Sequence, residues 1–255
     1  MHISRLFLQY SKEEGTRIST VRDDDSRYNL WVYTLTLSAV PTSIGNLQHL
    51  SHLTVEGYYV GCTAAIPVSM AAINRLSSLK VLSLNSVYID QPDIAISTLT
   101  DLRIFQCSIG QGTSYDILAS VNQYCTNIEI LHLKYTSGEI DKCKNRNCSE
   151  CGAVLPPVCS RDLPIDKLTK LRELVLIEVL INASLPSNID TLSSIMCLHI
   201  YCSMLTGTVP LSVLKLPRLK SLVIVDNGYL DMDTVDEELF YKRPRIRIER
   251  VVYKR

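Results

Sequence analysis

The stretch "LPSNIDTLSSIMCLHIYCSMLTGTVPLSVLKLPRLKSLVIVDN", Leu185 to Asn227, carries one pattern twice. Leu192, Ile195, Leu198 and Ile200 stand at spacings of three, three and two, and Leu216, Leu219, Leu222 and Ile224 repeat that spacing 24 residues later. A period of this length is the mark of stacked supersecondary units, so the fold is decided by how far the pattern extends.

It extends over most of the chain. Pairs of apolar residues separated by one neighbour fall at Leu35/Leu37, Leu53/Val55, Leu82/Leu84, Leu102/Ile104, Leu131/Leu133, Leu174/Leu176, Leu198/Ile200, Leu222/Ile224 and Ile246/Ile248, nine copies in all. Several are preceded by apolar residues three and six positions earlier, such as Leu47 and Leu50, Leu76 and Leu79, or Leu168 and Leu171, which makes the unit L-x-x-L-x-x-L-x-L. Alternation of period two sends both apolar side chains of a pair to one face of a short strand. One unit cannot bury them alone, so the copies must stack into a parallel sheet over a shared core.

Successive pairs are separated by 18, 29, 20, 29, 43, 24, 24 and 24 residues. Most of these lie within or near the repeat length of about 20 to 29 residues of leucine-rich repeats, and from about residue 30 to 252 the sequence resembles that family. Segments such as "VPTSIGNLQHLSHLTV", "IPVSMAAINRLSSLKVLSL" and "LTGTVPLSVLKLPRLKSLVIVDN" are similar to the plant-type receptor-like subclass, with its Leu/Ile/Val-Pro step before each helical turn. The resemblance implies an α/β solenoid: a horseshoe with about nine parallel strands on the concave face and short helices, 3-10 turns or loops on the convex side. It also implies a non-catalytic module that binds a protein or peptide, or alternatively the ligand-sensing ectodomain of a cell-surface receptor. The family places asparagine three residues after each pair, and here only Asn227 matches, so its side-chain ladder is degenerate.

The flanks read differently. Residues 1–29 hold Ile3, Leu6, Phe7 and Tyr10 at helix-like spacing and then Asp23, Asp24 and Asp25, which reads as an N-terminal cap or linker before a repeat domain over 30–255. A C-terminal capping strand is expected at about 244–253, where basic residues would blunt an open sheet edge.

The 43-residue gap holds a cysteine-rich insertion at about 137–163, in which Cys143, Cys148, Cys151 and Cys159 are four of the nine cysteines. A CxxC followed by glycine can bring two thiolates to one point, so a structural zinc is one reading. Disulfides, which need an oxidising compartment, and unlinked thiols are the others. The sequons at Asn147 and Asn182 do not decide between them.

Lysine plus arginine equals aspartate plus glutamate at 26 each, so no global field draws the chain to nucleic acid. No apolar run is long and uncharged enough to span a membrane, and no signal peptide is visible, which favours the cytoplasm unless the chain is a fragment of a surface or secreted protein. No phosphate-binding loop, kinase signature or nucleophile motif occurs, and the five histidines share no motif, so no enzyme and no cofactor is expected.

Binding residues must then come from the outward strand positions. Between the paired apolar residues the column includes Arg103, His132, Val175, His199 and Val223, and the next includes Phe105, Lys134, Ile177, Tyr201 and Val225. Apolar outward residues on adjacent strands mark an interaction surface. The expected partner-binding set is therefore Val175, Ile177, His199, Tyr201, Val223 and Val225, with Phe105.

Overall fold

The computed structural model describes residues 3–10, 17–22, 28–35, 39–57, 59–60, 63–64, 66–90, 96–109, 114–135, 162–177, 179, 183–201, 203, 205–225, 229–231 and 247–251. Its main sheet is built from β1 (Ile3–Tyr10), β2 (Arg17–Arg22), β3 (Tyr28–Leu35), β4 (His52–Glu56), β5 (Val81–Asn85), β6 (Ile104–Ile109), β7 (Ile130–Tyr135), β8 (Glu173–Ile177), β9 (Cys197–Tyr201), β10 (Ser221–Val225) and β11 (Arg247–Val251). The strand order is β11-β10-β9-β8-β7-β6-β5-β4-β1-β3-β2. Every neighbouring pair is parallel except β2 and β3.

From β4 to β10 the chain adds one strand per repeat in sequence order, as a solenoid must. The leucines stand opposite one another: Leu53, Leu82, Leu131, Leu174, Leu198 and Leu222 share one rung and are fully buried. Before each strand a second ladder crosses the repeats, in which Arg103 N–H donates to Lys80 O, Glu129 N–H to Arg103 O, Arg172 N–H to Glu129 O and Met196 N–H to Arg172 O. This fixes the rise between repeats independently of the side chains.

The Pro steps do what a fixed φ allows. Pro41 and Pro210 sit at the N-caps of 3-10 turns over Thr42–Asn46 and Leu211–Lys215, which bury Ile44 and Val213. A longer helix, Ser114–Tyr124, buries Ile117, Leu118 and Val121, a spacing that covers one helical stripe. At its end Asn122 Nδ2 donates to Asp166 Oδ1 at 2.8 Å, and Lys167 N–H donates to Asn122 Oδ1 at 2.9 Å, so one buried amide joins the segments on either side of the long gap. Away from the main sheet, Ile66–Ser69 pairs parallel with Val87–Asp90, and Thr206–Thr208 with Tyr229–Asp231.

Three sequence expectations are corrected. The helix-like spacing in the N-terminal segment makes a strand instead: β1 lies between β3 and β4, with Leu6 and Leu8 opposite Leu53 and Val55. Leu6 and Leu8 form an L-x-L pair of their own, and the hydrogen bonds of the open β4 edge favour a strand there. As a result Leu30 and Val32, rather than Leu35 and Leu37, occupy the paired rungs of β3. At the other end Ile248 faces Leu222, two residues from the expected register, so Arg250 falls opposite Ile224.

The third correction concerns Phe105, expected on the outward face. It is fully buried and lies on the rung of Leu82 and Leu131, with Cys107 on the rung of Leu84 and Leu133. Here the run Ile96, Leu99, Leu102 carries one more three-residue step before the strand, so Phe105 and Cys107 form the inward pair. The phenyl ring buries a large apolar area in that position.

Candidate binding face of the sheet

With the inward rungs fixed, the residues between and after them face outward. One row runs Thr54, Ser83, Gln106, His132, Val175, His199, Val223 across β4 to β10, and a second runs Glu56, Asn85, Ser108, Lys134, Ile177, Tyr201, Val225. The register therefore brings Val175, Ile177, His199, Tyr201, Val223 and Val225 onto three adjacent strands. All are half-buried except Val223, which is only 3% exposed and supports its neighbours rather than offering contact area.

Several polar side chains on this face are tied to one another. Gln106 Nε2 lies 3.1 Å from His132 Nδ1, and His132 Nε2 lies 3.0 Å from Glu173 Oε1. These two contacts hold the imidazole across three strands. His199 Nε2 lies 2.8 Å from Ser221 Oγ, and its ring meets Tyr201 edge-on at 83° with centroids 6.3 Å apart. That packing sets the tyrosine ring on the face between Ile177 and Val225. At the end of the strands Glu129 is shared between Arg103 at 3.8 Å and Arg172 at 3.7 Å.

A hollow of about 210 Å³ opens on the same face, lined by Asn85, Gln106, His132 and Lys134 on one side and Val175 and Ile177 on the other. Sequence reasoning missed it, because it forms only when the rows of β5 to β8 are set side by side.

Sequence reasoning also missed Ser203, a fully buried residue at the position where the family places asparagine. Its Oγ accepts the Val179 N–H at 3.3 Å and donates to the Tyr201 carbonyl at 2.8 Å. A hydroxyl thus ties two successive repeats just behind the tyrosine.

Cys143, Cys148, Cys151 and Cys159 lie outside the described residues. Among the described residues no group of three or more histidine, cysteine or acidic side chains is placed to hold a metal ion. Cys107 and Cys125 are buried free thiols whose pKa values burial pushes up to about 12, so they sit in the core as inert apolar side chains. Burial, and then Glu173, also raise the Cys197 thiol, against a smaller opposing pull from Lys220. Among the described residues no helix is long and apolar enough to cross a membrane.

No family model matches the sequence, and no curated protein matches it either. Solved structures do. The PEPR1–AtPEP1 complex aligns at 17% identity with a TM-score of 0.50, over 85% of this chain and 30% of that one. The leucine-rich repeat ectodomain of the membrane receptor kinase GASSHO1/SCHENGEN3 from Arabidopsis thaliana aligns at 14% identity and a TM-score of 0.46, over 84% of this chain and 26% of that one. Internalin C2 of Listeria monocytogenes aligns at 15% identity and a TM-score of 0.41, over 77% and 76%. The chain thus spans less than a third of the length of these two plant structures. Taken with the repeat register, the likeness shows that this chain has the leucine-rich repeat fold, an open α/β solenoid similar to plant receptor ectodomains.

Proposed function

We propose that this chain is a non-catalytic interaction module whose outward sheet face binds a protein or peptide over β8, β9 and β10. The observation that carries the reading is the patch itself: Val175, Ile177, Tyr201 and Val225 stand in register on three adjacent strands and point away from the core. Apolar residues in these positions contribute nothing to the shared core, and a contiguous apolar patch anchored by an aromatic ring is the surface that partners bury. The polar groups nearby support binding over chemistry, since His132 is held between Gln106 and Glu173 while His199 packs against Tyr201. The insertion with Cys143, Cys148, Cys151 and Cys159 is proposed as an appendage to that module, its cysteines held by zinc, joined in disulfides or left as unlinked thiols.

A selection of displayed random peptides on the folded chain tests the reading. Peptides enriched on the wild type should lose binding to the variant carrying Ile177→Ser, Tyr201→Ser and Val225→Ser, while its unfolding midpoint stays close to wild type. Equal binding by wild type and variant would remove the face from consideration.

A further inference from the structure

We propose that the hollow takes a carboxylate side chain, so that the ligand of this face is a peptide segment pairing an acidic residue with a bulky apolar one. This rests on the binding face proposed above and adds the chemistry of what it recognises.

Both outward rows change character at the same place. Gln106 and His132 give way to Val175 in one, and Ser108 and Lys134 give way to Ile177 in the other, so the boundary between the polar half and a half that is apolar but for His199 and the Tyr201 hydroxyl runs between β7 and β8. The hollow straddles that boundary. Its polar groups are mostly engaged: Asn85 Nδ2 donates to Ser83 Oγ at 3.2 Å, and His132 is held between Gln106 and Glu173.

Lys134 differs. It is exposed, its ammonium has no partner among the described residues, and the side chains beside it in its row are Ser108 and Ile177, neither of them charged. Glu173, an acid on the neighbouring strand, is engaged with His132, and Glu56 lies three strands away in the row. An anion beside Lys134 would complete a charge-assisted hydrogen bond at the margin of an apolar surface. One ammonium matches the single charge of a carboxylate, whereas a phosphoryl group of nearly two charges is met by clustered arginines.

The sheet sets the spacing. Neighbouring strands lie about 4.8 Å apart, so Lys134 and Tyr201, two strands apart, are separated by roughly 10 Å along the row. An extended peptide advances about 3.3 Å per residue, which places its acidic residue roughly three positions from the apolar one.

The test is selection of a random dodecapeptide display library on wild type, on Lys134→Glu and on Tyr201→Ser. The expected result is a wild-type consensus with Asp or Glu two to four residues from Phe, Leu or Trp. On Lys134→Glu the acidic preference should vanish or invert to Lys or Arg. An apolar consensus with no acidic preference, unaltered by Lys134→Glu but lost on Tyr201→Ser, overturns the carboxylate site and leaves the binding face standing. Enrichment indifferent to both substitutions, or no enrichment at all, overturns both. A thermal melt of each variant confirms that the exposed substitutions leave the fold in place.

Discussion

Ser203 bonds to Val179 across one repeat: the hydroxyl accepts the Val179 N–H at 3.3 Å while donating to the carbonyl of Tyr201. Val179 and Ser203 are both fully buried, so water cannot replace this contact. Ser203→Ala should therefore destabilise the chain by about 1–3 kcal/mol, the cost of leaving a buried donor unpaired. Urea denaturation of the purified variant measures it, and a wild-type midpoint would mean that the contact contributes nothing.

The repeat was legible because the L-x-L alternation is dictated by burial, and burial fixes register wherever one face of a strand is covered. Leu131, Leu174, Leu198 and Leu222 fall where the spacing predicts. Phe105 did not, since the run Ile96, Leu99, Leu102 offers two equally apolar ways to enter the strand and only the neighbouring rungs choose between them. β1 was illegible for a different reason. Leu6 and Leu8 look like a repeat pair only once an open strand edge is known to await them, and that edge comes from His52–Glu56, more than forty residues later. On the face, the order of outward residues along β8 to β10 followed from the pattern. The hollow, and the tie through Ser203, depend on distances between side chains that no single segment encodes.

Gly57 is pinned against the following repeat. Its N–H donates to Asn85 O at 2.8 Å, and a Cβ added there would clash with the Ser86 carbonyl oxygen. Ser86 itself holds a positive φ of 54°, so its backbone has little freedom to withdraw. Gly57→Ala should cost about 1–3 kcal/mol, the range for overpacked sites, with the loss concentrated between β4 and β5. Hydrogen exchange of those two strands checks this, and unaltered protection would contradict it.

His52 makes stability depend on pH. Burial, then the positive charges of Arg5 and Lys80, lower its pKa below 6.5, and Ser51 Oγ lies 2.8 Å from its Nδ1. Below about pH 6.5 the unfolded chain takes up a proton that the folded chain resists, so this contribution is present above that pH and is lost as pH falls towards the folded value. Wild type should lose more stability than His52→Gln between about pH 7 and pH 5, a window around the ordinary histidine value. Parallel slopes for the two proteins in denaturant titrations would show that His52 is not linked to folding.

Phe105 and Tyr201 separate core from face in one comparison. Both are aromatic residues on main-sheet strands, yet Phe105 is fully buried on the leucine rung while Tyr201 is half-exposed and points away from it. Phe105→Ala removes a ring from a closed core and should cost about 3–5 kcal/mol. Tyr201→Ser gives up the edge contact with His199 but empties no cavity, so its cost in stability should be a small fraction of that while its cost in peptide binding is large. Denaturation and peptide binding measured on both variants give the crossed pattern if the register is right. A large stability loss at Tyr201 together with a small one at Phe105 would mean that the two residues occupy each other's sides of the sheet.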